Sequence, residues 1–182
     1  MVPLLVAVAT SACEGGRLGN GNPVLVPDTN YSVVVPDGWW LRWRDGSPRP
    51  ALSFFSAKAC ESRELSFPEL EVARLQFDDR PGSLDDFDRK AGDSVDELRG
   101  ALVRVKVGKF DAVEYAATGN YIAIGGGSLQ PRYYRVVVLH VGDDFYECRL
   151  TEDVWSNGKY ETVPRTLCAT LAVRADARPG VP

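Results

Sequence analysis

Few side chains in the sequence are suited to act as a general base, a nucleophile or a metal ligand. The chain of 182 residues contains a single histidine, His140. One histidine excludes zinc sites and catalytic centres that require two, and it leaves one candidate for a histidine-dependent mechanism. His140 lies in line with Val136 and Val138 on a strand-like segment, which is more typical of a hydrogen-bonded wall residue than of a base or ligand.

The sequence contains none of the short motifs that build common catalytic sites. G-x-S-x-G, the nucleophile elbow of serine hydrolases, and the phosphate-binding G-x-x-x-x-G-K-[ST] are both missing, as is C-x-x-C. Asp and Glu together number 25, but no spacing singles out two of them as an acid–base pair. We therefore predict no catalytic residue, metal or cofactor. An enzyme that uses carboxylates or His140 is kept as the least favoured alternative.

The first cysteine follows a segment typical of exported proteins. Val2 to Ala9 is an apolar run, too short to span a bilayer as a helix but suited to the hydrophobic region of a signal peptide. Thr10-Ser11-Ala12 and then Cys13 resemble a bacterial lipobox, which implies that residues 1–12 are a signal peptide and that Cys13 carries acyl chains such as palmitate. Thr10 stands where a lipobox usually has leucine. A plain secretory signal cleaved near Ala9 or Ala12, or an intracellular protein with an apolar start, remain alternatives.

Three further cysteines, Cys60, Cys148 and Cys168, form an odd set if Cys13 is lipidated. An exported chain with three thiols is expected to form one disulfide and leave one cysteine buried or free. A Cys148–Cys168 bond would close a short loop and tie the last long strand to the last helix. The sequence does not settle this connectivity, and all three could instead be small buried apolar residues.

The distribution of turn-forming residues predicts one domain with flexible ends. Residues 13–30 are rich in Gly, Asn and Pro and predict a tether, which as a coil would span about 20–25 Å. Residues 31–174 carry the strand and helix patterns, and residues 175–182 predict a disordered tail. The net charge of −4 and the pI of about 5.1 argue against nucleic-acid binding.

Hydrophobic periodicity predicts an α+β fold with a mainly antiparallel sheet of about six to eight strands and two main helices. The clearest helix starts after Ser83, a good N-cap, and its apolar residues extend to Leu98 before Gly100. Its opposite face is acidic but lacks EF-hand spacing, so a solvated surface is expected. A shorter helix is predicted from Thr162 to Leu171. Short turns such as Gly142-Asp143-Asp144 join neighbouring strands.

The order of these motifs resembles the PsbP-like fold. The segment from Tyr31 to Trp39 (YSVVVPDGW) is similar to the opening strand and Pro-x-Gly-Trp of those domains, and Ser83, Leu84 and Phe87 match a typical helix start. Relatives with this fold include photosystem subunits, envelope lipoproteins of the DcrB kind and chaperones for type VI secretion effectors. The resemblance implies a domain that docks onto other macromolecules and carries no shared catalytic residues.

The tryptophan cluster Trp39-Trp40-Leu41-Arg42-Trp43 is the most unusual local feature. If the segment is extended, Trp39 and Trp40 point to opposite faces, and the resemblance places Trp39 in the core. We predict that Trp40 or Trp43 exposes part of its ring next to an arginine and that Trp40, Arg42, Trp43 and Trp155 form a partner-binding surface. The alternative is that the rings cap the end of the sheet or pack beneath loops.

These features favour a non-catalytic lipoprotein of the bacterial envelope, anchored to a membrane through Cys13 and facing the periplasm or the exterior. Its PsbP-like domain would bind an unidentified protein or organise an envelope complex. The main alternative is an intracellular chaperone with the same fold that shields a hydrophobic segment of a secreted effector.

Overall fold

A computed structural model describes residues 23–42, 51–56, 68–77, 81–94, 101–121, 130–153 and 159–173, and these residues form two antiparallel sheets and two helices. In chain order the strands are β1 (Pro23–Leu25), β2 (Tyr31–Val34), β3 (Trp39–Arg42), β4 (Ala51–Ser56), β5 (Glu69–Arg74), β6 (Val103–Val107), β7 (Phe110–Tyr121), β8 (Gln130–Val141), β9 (Asp144–Asp153) and β10 (Ala172–Val173). The helices are α1 (Leu84–Ser94) and α2 (Val163–Ala169).

The strand order explains why short turns suffice to connect most of the large sheet. The seven strands of this sheet are ordered β3-β4-β5-β9-β8-β7-β6, and three more form a small sheet, β1-β2-β10. Every pairing in both sheets is antiparallel. The α+β class, the mainly antiparallel sheet and the two helices predicted from the sequence are confirmed.

Strand alternation divides the large sheet into an inner face, which carries Leu41, Leu70 and Leu139, and an outer face, which carries Val136 and Phe145. The small sheet and α2 cover the inner face and form the main core with it. The ring of Tyr31 in β2 lies 5.1 Å from that of Tyr146 in β9. Burying a leucine or phenylalanine contributes about 1.5–3 kcal/mol, so this layer contact is a large source of stability.

Helix α1 covers part of the outer face. The backbone N–H of Asp86 donates to Ser83 Oγ at 3.2 Å, which confirms Ser83 as the N-cap. Phe87 stacks on Phe145 with ring centroids 5.8 Å apart. Arg104 in β6 contacts the acidic face of the helix, where its Nη2 lies 2.5 Å from the carboxylate of Asp85 and 2.6 Å from that of Asp88. The predicted continuation of the helix to Leu98 lies outside the described residues.

The β8–β9 hairpin forms where its sequence predicts it. Val141 pairs with Asp144, so only Gly142 and Asp143 form the turn, and Gly142 adopts a φ of 61°, which glycine tolerates without strain. Strand β7 is a single strand of 12 residues that runs through Gly119, a residue type that is rare inside strands. Its continuous pairing with β8 overrides the weak strand signal at Gly119.

The expected tether, residues 13–30, is too long. Pro23–Leu25 is strand β1, and it pairs with β2. Val24 and Val26 are buried in the main core because this short apolar run completes the small sheet. The domain therefore begins at Pro23 or before it, and the part of the expected tether that precedes Pro23 lies outside the described residues.

Cys148 and Cys168 form a disulfide, with Cα atoms 6.0 Å apart. Both side chains are buried in the main core. Because Cys148 lies in β9 at the middle of the large sheet, the bond fixes α2 directly to the inner face.

The buried phenol of Tyr146 makes folding sensitive to alkaline pH. Burial, with a contribution from the charge of Asp144, raises the pKa of Tyr146 to about 12. The same phenol ionises near pH 10 in the unfolded chain, so the unfolded state loses its proton first. The stabilisation is complete below about pH 10 and falls as the pH rises towards 12, by about 2–3 kcal/mol in all.

We expect urea denaturation at a series of alkaline pH values to show this decline in the free energy of unfolding. The variant Tyr146→Phe should show a shallower decline because it has no phenol to ionise at this position. Equal pH dependence of the variant and the wild type would contradict the assignment.

Candidate partner-binding surface

Strand β3 places its two consecutive tryptophans on opposite faces of the large sheet. Trp39 pairs with Ser56, points inward and is 4% exposed, and its ring lies edge-on to Tyr160 at 5.7 Å. Trp40 pairs with Phe55 on the outer face and is partly exposed. The alternation expected for these two rings is therefore the one that β3 adopts.

The indole of Trp40 has an unusual polar environment. Its Nε1 is shielded from solvent and has no hydrogen-bond acceptor among the described residues. A buried donor without an acceptor costs about 1–3 kcal/mol relative to one that is satisfied. Because Nε1 is shielded, the part of Trp40 that a partner can contact is the remainder of its ring.

The other residues predicted for this surface are less well defined by the structure. Arg42 pairs with Ser53 through the backbone, in the same alternating set of β3 as Trp40, and its side chain lies outside the described part of the chain. Trp43 and Trp155 also lie outside it. Strand β3 ends the large sheet in the observed strand order. Among the described strands, Trp40 is thus at the edge of the sheet, a position at which partner chains can add to a sheet.

A charged row crosses the outer face beside Trp40, and sequence reasoning did not identify it. Arg149 in β9 donates from Nε to Glu71 in β5 at 3.1 Å and makes a second hydrogen bond to the same carboxylate through Nη2. Its Nη1 lies 3.7 Å from Glu147. The Arg149 side chain is 34% exposed and both carboxylates are less so. The available signal was the charge alternation in β5 and β9, which places Glu71, Glu147 and Arg149 on one face once the strands are paired.

Two tyrosines extend this charged row across the sheet. Burial, together with the charge of Glu147, raises the pKa of Tyr115 well above its ordinary value, so its hydroxyl remains protonated and can donate. Burial disfavours the charge of Arg149, but Glu147 and Glu71 outweigh it and raise the pKa of the guanidinium. Arg149 also lies over the ring of Tyr134 at 6.0 Å.

Trp40 and Tyr134 lie at the two ends of one row of the outer face. Strand pairing runs from Trp40 through Phe55, Glu69 and Thr151 to Tyr134. Four strand spacings of about 4.8 Å place the two aromatic residues about 19 Å apart. The three residues between them are buried, with Phe55 2%, Glu69 5% and Thr151 7% exposed. The partly exposed side chains of this region are therefore Trp40, Tyr134 and the neighbouring Arg149, which are residue types enriched at interface hot spots.

His140 contributes packing on the same face. Its ring stacks on Phe145 at 4.6 Å, and Phe145 in turn stacks on Phe87 of α1. This is the wall position expected from the sequence. Within the described residues, no group of three or more His, Cys, Asp or Glu side chains is arranged to hold a metal ion. No helix in that part of the chain is long and apolar enough to cross a bilayer.

Comparison with known proteins finds similarity only among solved structures. No known family matches the chain. No curated protein matches it either. It is similar to the solution structure of cyanobacterial PsbP (CyanoP) from Synechocystis sp. PCC 6803, with 14% identity, a TM-score of 0.49, and coverage of 87% of this chain and 96% of that one.

The chain is also similar to a crystal structure from Bacteroides thetaiotaomicron, with 16% identity and a TM-score of 0.49 over 81% of this chain. It spans about half, 46%, of that longer chain. At this identity neither similarity extends to function.

Adjacent tryptophans on opposite faces provide a matched pair of variants. We expect Trp39→Ala to lose about 3–5 kcal/mol of stability because it empties a core site. That loss should lower the melting temperature by about 10 °C or more. Trp40→Ala should cost much less, since its ring is partly exposed.

Thermal melts followed by circular dichroism would measure both variants against the wild type. Equal, large drops in the two midpoints would show that Trp40 is a core residue and that the surface around it is not available to a partner.

Proposed function

We propose that the protein is a non-catalytic lipoprotein of the bacterial envelope, anchored through acyl chains on Cys13, whose α+β domain binds a protein partner or organises an envelope complex. The observation that carries the proposal is the Cys148–Cys168 disulfide. Disulfides persist in oxidising compartments such as the periplasm and are rare in the cytosol, where thiols are kept reduced. An exported protein is therefore favoured over the intracellular chaperone.

The anchor agrees with the start of the sequence. Cys13 follows a short apolar run and three small residues. A single acyl chain binds membranes only marginally, so stable anchoring requires the several chains that a bacterial lipoprotein cysteine carries. With Cys13 acylated and Cys148 bonded to Cys168, only Cys60 remains as a thiol.

The role in partner binding is supported by the outer face. Trp40 combines partial exposure with a position on the strand that ends the large sheet in the described part of the chain. Arg149 and Tyr134 lie farther along the same face, and both residue types are common at interface hot spots. These partly exposed side chains on one face are what supports a binding role for the domain.

Intact mass of the protein purified from a bacterial envelope tests compartment and anchor together. We expect a mature chain that begins at Cys13, carries acyl chains and retains two cysteines that are protected from alkylation until a reductant is added. Cys13→Ala should move the protein from the membrane fraction to the soluble fraction, because the anchor is lost. Cys60→Ala is the matched control and should leave the protein at the membrane.

An uncleaved, soluble chain in which Cys148 and Cys168 are alkylated without a reductant would overturn the lipoprotein and favour the cytoplasmic chaperone. A chain cleaved near Ala9 without lipid would instead indicate a secreted protein.

Partner binding is tested by comparing substitutions of Trp40 and Val103, which lie on the first and last strands of the large sheet. We expect a protein that copurifies with the wild type to be lost from Trp40→Ala, with affinity weakened by about 2 kcal/mol or more, or about thirtyfold. Val103→Ala in β6, where the side chain is 53% exposed, should retain it. Equal retention by both variants, or equal loss, would remove Trp40 from the binding surface.

A further inference from the structure

We propose that Asn30 is an acceptor for N-linked glycosylation and that the chain is modified there before the domain folds. Asn30-Tyr31-Ser32 matches the acceptor pattern Asn-x-Ser/Thr, and no other asparagine in the sequence has Ser or Thr two positions after it. Asp28 stands two positions before Asn30, and an acidic residue there completes the acceptor motif of bacterial oligosaccharyltransferases. The inference rests on export of the chain and goes beyond the proposed binding role.

The folded domain presents Asn30 on its surface. Asn30 is exposed in the turn between β1 and β2, which closes where Val26 donates its backbone N–H to the carbonyl oxygen of Tyr31 at 2.8 Å. Thr29 Oγ1 donates to the carbonyl oxygen of Val26 at 2.9 Å and accepts from the backbone N–H of Tyr31 at 3.1 Å. An oligosaccharide on Asn30 therefore extends into solvent without displacing the core, as at N-linked sites in surface loops.

The serine of the acceptor motif is not accessible in the folded domain. Ser32 is 6% exposed and lies in the central strand of the small sheet, where it pairs with Leu25 of β1 on one side and Ala172 of β10 on the other. An enzyme that recognises Asn30 and Ser32 together needs β2 to be unpaired. Modification must therefore precede assembly of the small sheet.

The order of the strands along the chain keeps the acceptor open during export. A chain that crosses a membrane from its N-terminus presents β2 early, whereas α2 and β10 come last among the elements of the domain. The Cys148–Cys168 bond cannot fix α2 until both cysteines have crossed. An enzyme at the exit side of the membrane thus meets the segment around Ser32 before β10 is there to enclose it.

The transfer needs one co-reactant, an oligosaccharide joined through a pyrophosphate to a membrane lipid. Nδ2 of Asn30 attacks the anomeric carbon of the first sugar, so that a C–N bond forms and the C–O bond to the pyrophosphate breaks. The lipid pyrophosphate leaves with the electron pair of the broken bond, and the amide nitrogen gives up one proton. No oxidant or reductant takes part.

A glycan at this position leaves the Trp40 surface free. Arg74 donates to the carbonyl oxygen of Asp28 at 3.5 Å, so the turn lies near the end of β5 that carries Arg74. The row that contains Trp40 crosses β5 at Glu69, at the other end of the strand. These two ends of β5 are about 17 Å apart, which separates a glycan on Asn30 from a partner bound at Trp40.

Expression of the full chain in a Gram-negative host that carries a bacterial oligosaccharyltransferase and its lipid-linked oligosaccharide tests the site. We expect part of the exported protein to gain the mass of one oligosaccharide, located by mass spectrometry on the peptide that contains Asn30. Asn30→Gln should abolish the gain, and Asp28→Ala should lower the modified fraction at least severalfold. Both side chains are exposed, so thermal melts of the two variants should match the wild type.

The same enzyme and donor lipid, mixed with the purified folded protein, test the order of events. We expect the folded protein to gain at least tenfold less glycan than the protein made in cells, because Ser32 is enclosed. Equal modification of both would overturn the requirement for an unfolded chain.

The N-terminus of the same preparations separates this inference from the proposed function. A chain that begins at an acylated Cys13 but carries no glycan would overturn the acceptor site and leave the lipoprotein intact. A glycosylated chain without acyl groups would support the acceptor site and contradict the anchor. An uncleaved cytoplasmic chain would overturn both.

Discussion

All layers of the protein are attached to a single strand, β9, through the alternation of its side chains. On the inner face, Tyr146 packs on Tyr31 of the small sheet, and Cys148 is bonded to Cys168 of α2. On the outer face, Phe145 stacks on α1, and Arg149 binds the carboxylate of Glu71 in β5. Because consecutive residues must point in opposite directions, a shift of one residue in the pairing of β9 would break all of these contacts together.

Local patterns in the sequence were sufficient to predict the fold class and most of the long elements. The run from Tyr133 to Val141, the glycine turn after it and the Ser83 N-cap each specify their structure through nearby residues. Strands β1 and β10 were missed because three- and two-residue segments have no measurable periodicity. They form because each pairs with one edge of β2, and the short segments alone do not specify that pairing.

The candidate surface was only partly predictable for a similar reason. Alternation alone indicated that Trp40 faces away from Trp39. The Glu71–Arg149–Glu147 cluster required the register of β5 against β9, since Glu71 lies 78 positions from Arg149 and no motif links them. The shielding of Trp40 Nε1 depends on side chains packed around it in three dimensions, which the local sequence does not specify.

The charged edge of β6 has a consequence for a protein held at high density on a surface. Exposed edge strands invite the sheets of neighbouring molecules to join, and β6 ends the large sheet with the apolar residues Val103 and Val105. An antiparallel association of two such edges centred on Val105 would set Arg104 of one molecule directly opposite Lys106 of the other. Within each molecule Arg104 is paired with Asp85 and Asp88, and Lys106 with Asp111. The approach of a second cation would disturb both sets of ion pairs, so this register disfavours the joining of two β6 edges.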